Sequence, residues 1–262
     1  MAQYSVKRGK HYHKNNNDIF EIMMLADKNG NIINEFGASA NITISAGLVD
    51  GYEHINKFGY SSNISGGSSY NTIWSQNNVY SYATNPTVVA VAGTSDVGAT
   101  VEIQGLDADF NQIVETVTVP SSTTAEYIRV FRMKLVEPAT GTTNVGDITA
   151  TFDGAIRAQI DAGAGQTLMA LYTIPANKTG YLLKVAFSLD KSTDAKFRIL
   201  ARDNAVNGAF QLKGQFGTFA TNVEYNYPVP LKFTEKTDIE CRGIAGNTCG
   251  AGAIFDLILV DN

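Results

Sequence analysis

The stretch "YLLKVAFSL", residues 181–189, constrains the fold more than any other part of the chain. Tyr181, Leu183, Val185, Phe187 and Leu189 fall on one side of an extended backbone, and Leu182, Lys184, Ala186 and Ser188 on the other. Side chains alternate faces along a strand, so this two-residue period calls for a β-strand with one face in a core. "AKFRILARD" repeats the arrangement, setting Phe197, Ile199 and Ala201 against Lys196, Arg198 and Arg202. With the turn residues of "DKSTD" between them, the two segments predict a hairpin.

The pattern extends through residues 155–262. "AIRAQI", "TLMALYT", "AFQLKG", "VPLKFT", "DIECRG" and "AGAIFDLILVD" bring the count to about eight short strands, the spacing of a β-sandwich or jelly roll. The last of them has Phe255, Leu257 and Leu259 on one face and Ile254, Ile258 and Val260 on the other, interrupted by Asp256. Apolar side chains on both faces predict a strand central in its sheet or covered by a neighbouring chain.

Residues 87–154 form a second, smaller β unit. "TVEIQGLDADFNQIVETVTV" predicts strand, turn and strand, with Asp107, Asp109 and Asn111 bonding nearby backbone in the turn. "AEYIRVFRMKLVEP" predicts one long strand ending before Pro138, and "GTTNVGDITATF" another, with "TVVAVAG" joining them. Residues 1–86 are an irregular, extended N-terminal region. "IFEIMMLADKNGNIINEFG" predicts a short hairpin about Asn29 and Gly30, and Gly, Ser and Tyr dominate the residues after it. The fold class is therefore all-β: a sandwich or jelly-roll C-terminal domain, a smaller β unit and an extended N-terminal region.

Composition agrees, with 24 Gly, 12 Tyr and 13 Phe against 17% charged residues. A net charge of −5 and a single short basic patch, "VKRGKHYHK", argue against nucleic acid as a partner. No apolar run is long enough to span a membrane, and the first residues lack the apolar core of a secretion signal, so a soluble, unsecreted protein is expected. Cys241 and Cys249 neither form a disulfide framework nor complete a zinc site, and free thiols are expected.

Residue patterns that carry chemistry are few. His11 and His13 share a face in "HYH" but have no third ligand in reach of local sequence, and His54 stands apart, so no metal is expected. "DAGAGQT" lacks the Lys and the helix of a phosphate loop, and "GLDADFNQ" lacks the acidic register of a calcium hand. No Ser, Cys or His stands in a nucleophile context, and Glu102, Glu115, Glu126 and Asp153 are scattered carboxylates of the kind that decorate solvated sheets. No catalytic residue and no cofactor are assigned, and a non-enzyme is expected. The aromatic residues are more telling, because Phe58, Tyr60, Tyr70, Trp74, Tyr80 and Tyr82 crowd one segment and Tyr225 and Tyr227 add to them. Such rings serve either as sugar-stacking platforms or as anchors between subunits, and Trp74 is the first candidate anchor, with closure of the chain's own core as its competing role.

In "HINKFG" with "TIW", in "TVEIQGLDADFNQIVETVTV", in "GQTLMALYTIPANKTGYL" and in the ending "FTEKTDIECR…AGAIFDLILVDN", the chain resembles virion structural proteins of tailed bacteriophages of the marine and cyanobacterial type. The resemblance covers roughly residues 50–262. It implies a non-enzymatic particle component: most nearly a capsid decoration (cement) protein, with tail, neck or fibre components as alternatives, some of which contact host glycans. It also implies a homo-oligomer, a trimer by preference, partnered with the major capsid protein, placed on the capsid surface and assembled in the host cytoplasm.

Overall fold

A computed structural model describes residues 40–65 and 69–262. His11, His13 and the hairpin expected about Asn29 lie outside the described residues. A short helix, α1 (Ala40–Ser45), precedes sixteen strands. These are β1 (Tyr52–Ser61), β2 (Asn71–Thr72), β3 (Thr87–Ala92), β4 (Thr100–Leu106), β5 (Gln112–Thr118), β6 (Ser121–Tyr127), β7 (Arg129–Glu137) and β8 (Ile148–Phe152). Next come β9 (Ala155–Ile160), β10 (Leu171–Thr173), β11 (Lys178–Leu189), β12 (Asp194–Asp203), β13 (Gln211–Phe219), β14 (Val223–Phe233), β15 (Thr237–Ala245) and β16 (Ala251–Asp261).

The all-β expectation holds, and the strands sort into two units. In the larger, a sheet ordered β1-β16-β11-β14 opposes one ordered β10-β15-β12-β13, with β2 added beside β15. In the smaller, β6-β3-β8-β9 opposes β5-β4-β7. Every strand pairing is antiparallel, and the buried side chains of the two units merge into one cluster. β16 runs between β1 and β11, so it is central in its sheet; Phe255, Leu257 and Leu259 are buried on its core face, while Ile254 on the other face is exposed.

The structure redraws both boundaries expected from sequence. β9 pairs with β8, so the smaller unit ends near residue 160 rather than 154. Ten residues of the supposedly irregular N-terminal region form β1, paired along its length with β16, and β2 pairs with β15. The N-terminal region therefore contributes two strands to the larger sandwich. Close approach explains one of its glycines: a Cβ on Gly59 would collide with the Ala170 nitrogen and the Ile73 carbonyl.

Two strand expectations are corrected. "YLLKVAFSL" and "AKFRILARD" are not a hairpin, because β11 and β12 belong to opposite sheets and the turn between them arches across the core. Phe187 and Phe197 stack there at 4.5 Å with planes 7° apart. Periodicity reports which face is apolar but is silent on whether the facing partner lies beside the strand or across the core. A bulge between Leu182 and Lys184 also breaks the alternation, so Leu182, Val185 and Phe187 point inward while Tyr181 and Leu183 are half-buried. "AEYIRVFRMKLVEP" is likewise two strands: β6 pairs with β3, β7 with β4, and the chain changes sheet at Ile128, whose N–H donates to the Leu106 carbonyl. The end before Pro138 and the strand–turn–strand of β4 and β5 are as expected, with the Asp107 carboxylate accepting the N–H groups of Asp109 and Asn111 at 2.9 Å each.

Candidate functional site

The aromatic segment separates into interior and half-exposed members. Trp74 and Tyr80 are only 3% and 4% exposed within the single chain. The Trp74 indole donates to the Asn78 carbonyl at 3.0 Å, and an edge-on ladder runs Trp74–Tyr80–Tyr82, continuing to Phe210. These rings close the chain's own core, which corrects the choice of Trp74 and Tyr80 as outward anchors. The hydrogen-bonded indole is what allows a lone Trp to sit inside so polar a stretch. Phe58, Tyr60, Tyr70 and Tyr82 remain half-buried. Tyr60 donates to Asp190 at 2.5 Å, and this hydrogen bond, with some desolvation, pushes its hydroxyl up to about 12. The Arg198 guanidinium lies 3.8 Å above the Tyr70 ring.

What the ladder packs against is a buried charge cluster that sequence reasoning missed. Asp238, Glu240 and Arg242 share one face of β15, while Ile239 and Cys241 occupy the other, in the sandwich core. Asp238 is fully buried and takes a two-pronged contact from Arg129, Nε at 2.9 Å and Nη2 at 3.0 Å. It also accepts Arg202 Nη2 and Thr173 Oγ1, each at 2.6 Å. Burial is the largest influence and works to raise the Asp238 pKa, but Arg129 together with the Thr173 and Arg202 hydrogen bonds outweighs it, so the carboxyl stays below its ordinary value. Glu240 holds Arg242 at 2.6 Å and receives Thr72 Oγ1. Arg129 begins β7 of the smaller unit and also donates to the Ala83 carbonyl, so the cluster ties both units to the connecting segment. The visible signal is the alternation in "TDIECRG", whose charged face reads as a solvated one until residues 72–83 are known to cover it.

His54 has more company than its sequence suggests: Nε2 lies 3.1 Å from Asp256 and Nδ1 3.5 Å from Ser45 Oγ. Asn56 donates to the same carboxylate at 2.8 Å, so the group ties β1 to β16. The scattered carboxylates are engaged separately. Glu102 pairs with Lys134 at 2.9 Å, Glu115 accepts the Thr124 and Ala125 N–H groups, Asp153 accepts the Thr84 N–H at 2.7 Å, and Glu126 is exposed. Among the described residues no three His, Cys, Asp or Glu side chains converge as metal ligands. Cys241 and Cys249 are free and buried.

The candidate interaction surface lies elsewhere, on β13 and β14. Each is the outermost strand of its sheet, and the turn between them places both at one side of the sandwich. Phe219 is 65% exposed, Val229 79%, Leu212 51% and Tyr225 44%, while Phe216 and Tyr227 fill the gap beneath. Their rings form a row, Phe216 to Tyr225 at 5.9 Å and Tyr225 to Tyr227 at 4.8 Å. Pro228 and Pro230 lack N–H groups and blunt the outer edge of β14 against strand addition, so contact there is made by side chains.

The sequence matches no protein-family model and no curated protein. Solved structures with limited similarity include "Structure of infectious bursal disease virus Gt strain", with 10% identity over 81% of this chain and 73% of that one and a TM-score of 0.24. A second, of the Gx strain of the same virus, has 10% identity, coverage of 80% and 76%, and a TM-score of 0.23.

Proposed function

We propose that the protein is a non-enzymatic structural component of a virus particle, a decoration (cement) protein that binds the outer capsid and stabilises contacts between major capsid subunits. The observation that carries the proposal is the β13–β14 side of the sandwich, where large apolar side chains stand in water at the outer strands of both sheets. An exposed apolar side on a β protein is a liability unless a neighbour covers it. In this proposal a second copy covers it, building a homotrimer, and the capsid shell receives another face. The phage-like phrases of the sequence support the same role, and symmetry multiplies modest contacts into firm attachment.

The test is imaging of intact particles at a resolution that traces the chain, together with its copy number. Hundreds of copies spread over the shell, with Phe219 and Tyr225 covered, agree with the proposal. A few copies at one vertex would instead make it a neck or fibre component. Measurable turnover of a cell-surface polysaccharide by the purified protein would refute the non-enzymatic assignment.

A further inference from the structure

A cleft of about 600 Å³ separates the outer edge of β1 from the smaller unit. Its wall carries an unusual set of donors. Lys57 is buried, with its ammonium donating to the Phe131 carbonyl and no carboxylate pairing with it among the described residues. Arg132 stands near enough to repel that ammonium, and its own Nη2 donates to the Asn56 carbonyl at 2.8 Å. Burial first, and Arg132 second, hold the Lys57 amine well below its ordinary pKa. Tyr172 keeps 1% of its accessible surface, and its hydroxyl makes no well-formed hydrogen bond although the Gln112 carboxamide is close by. Glu53 is the only acid among the described residues of the wall, and it turns to Lys178 at 3.8 Å.

A buried hydroxyl without a partner costs free energy in the empty site, and so does a buried amine that Arg132 crowds and whose donor goes only to the Phe131 carbonyl. One oxyanion placed between them relieves both. We propose that this cleft binds the carboxylate of an acidic sugar residue, with Lys57, Arg132 and Tyr172 as the oxyanion donors. The carboxamides of Gln112 and Gln166 supply paired donors and acceptors for the hydroxyls beside it, while the Gln104 amide is already committed to Glu102 at 2.7 Å. The volume suits a ligand of this size. A peptide strand is less well served. The Asn56 and Phe131 carbonyls already accept side-chain donors, so an added strand would first have to displace them.

The experiment is calorimetric titration of the full chain with D-glucuronate, D-glucose and an acidic hexapeptide. Glucuronate is expected to saturate with a Kd of about 1 mM or tighter, glucose at least tenfold more weakly. Arg132→Gln and Tyr172→Phe are each expected to weaken glucuronate about tenfold, since a donor to a charged group is lost. Tyr172→Phe removes only an unpartnered hydroxyl, so its melting temperature stays at or above the wild-type value, which keeps the test independent of folding. Lys57→Met serves as a further arm where it folds. Failure of glucuronate to saturate, equal binding of glucose, tighter binding of the peptide, or affinity unchanged in both Arg132→Gln and Tyr172→Phe would each overturn the proposal. None of these outcomes depends on whether the chain sits on a capsid.

Discussion

Replacing Asp238 by Asn is the sharpest perturbation of the bond between the two units. The side chain keeps its shape, but its charge is lost and an amide NH₂ now faces donors. Arg129, 4% exposed, and the partly buried Arg202 then stand beside one another with no carboxylate between them. Removing one partner of a buried pair costs about 3–5 kcal/mol, because the remaining charge stays desolvated. For a chain of this size that corresponds to a fall in melting temperature of roughly 10 °C. Urea denaturation at neutral pH measures the change, with Glu224→Gln as control: its exposed pair with Lys184 at 3.0 Å is screened by water, so its loss should leave the midpoint close to wild type. The acid limb gives a second measurement. The folded pKa of Asp238 lies below the unfolded value of about 3.9. Its contribution is therefore present above that value and lost as pH falls through the lower, folded one, and Asp238→Asn should flatten this limb. If Asp238→Asn lies within about 1 kcal/mol of wild type at neutral pH, in the range of an exposed pair, the cluster does not hold the units together as argued.

Three further outcomes are expected. Trp74→Ala should lower the stability of the isolated protein by about 3–5 kcal/mol, as deletion of a buried ring does, and thermal melting of the free protein checks it. Gly59→Ala should destabilise by more than the roughly 1 kcal/mol of an ordinary strand substitution, because its methyl group meets backbone rather than a movable side chain; a chemical denaturation curve reads this directly. Cys241 and Cys249 should resist alkylation in the native state and react on unfolding, since both are buried and burial pushes the Cys241 thiol up; mass spectrometry after iodoacetamide treatment counts the adducts.

Strand existence is legible in the sequence wherever one face meets water and the other a core, as in β12, where Ala195, Phe197, Ile199 and Ala201 are buried. The central position of β16 is legible too, because its apolar residues run through the core of the strand, although Ile254 on the second face is left exposed. Partnership is not legible. The link from β11 to β12 has the residues of a hairpin turn, and only the stacking of Phe187 on Phe197 reveals that it crosses the core. The charge cluster is hidden for a related reason: Asp238 and Glu240 alternate with apolar residues as solvent-facing side chains do, and their cover comes from a segment some 160 positions earlier in the chain. Trp74 stands out in the sequence as an anchor but on the wrong side of the surface, since local polarity does not report what a ring faces after folding. The cleft beside β1 leaves no sequence signal, as its polar wall residues come from five separate strands and a loop.

The pairing of β1 with β16 has a consequence for how the molecule is made. Asn56 lies opposite Asp256, 200 positions further on, and β16 must slot between β1 and β11. At a synthesis rate of about 5–20 residues per second, β1 spends ten seconds or more as an orphan while its partner is still being translated. The smaller unit, whose strands all pair within residues 87–160, can form during that interval. The larger sandwich cannot, and the late arrival of β16 converts a loose collection of strands into a sheet in one step. Such long-range closure is slow. The nascent chain is therefore most exposed to misassembly with its siblings just before β16 arrives, at the high local density of a polysome.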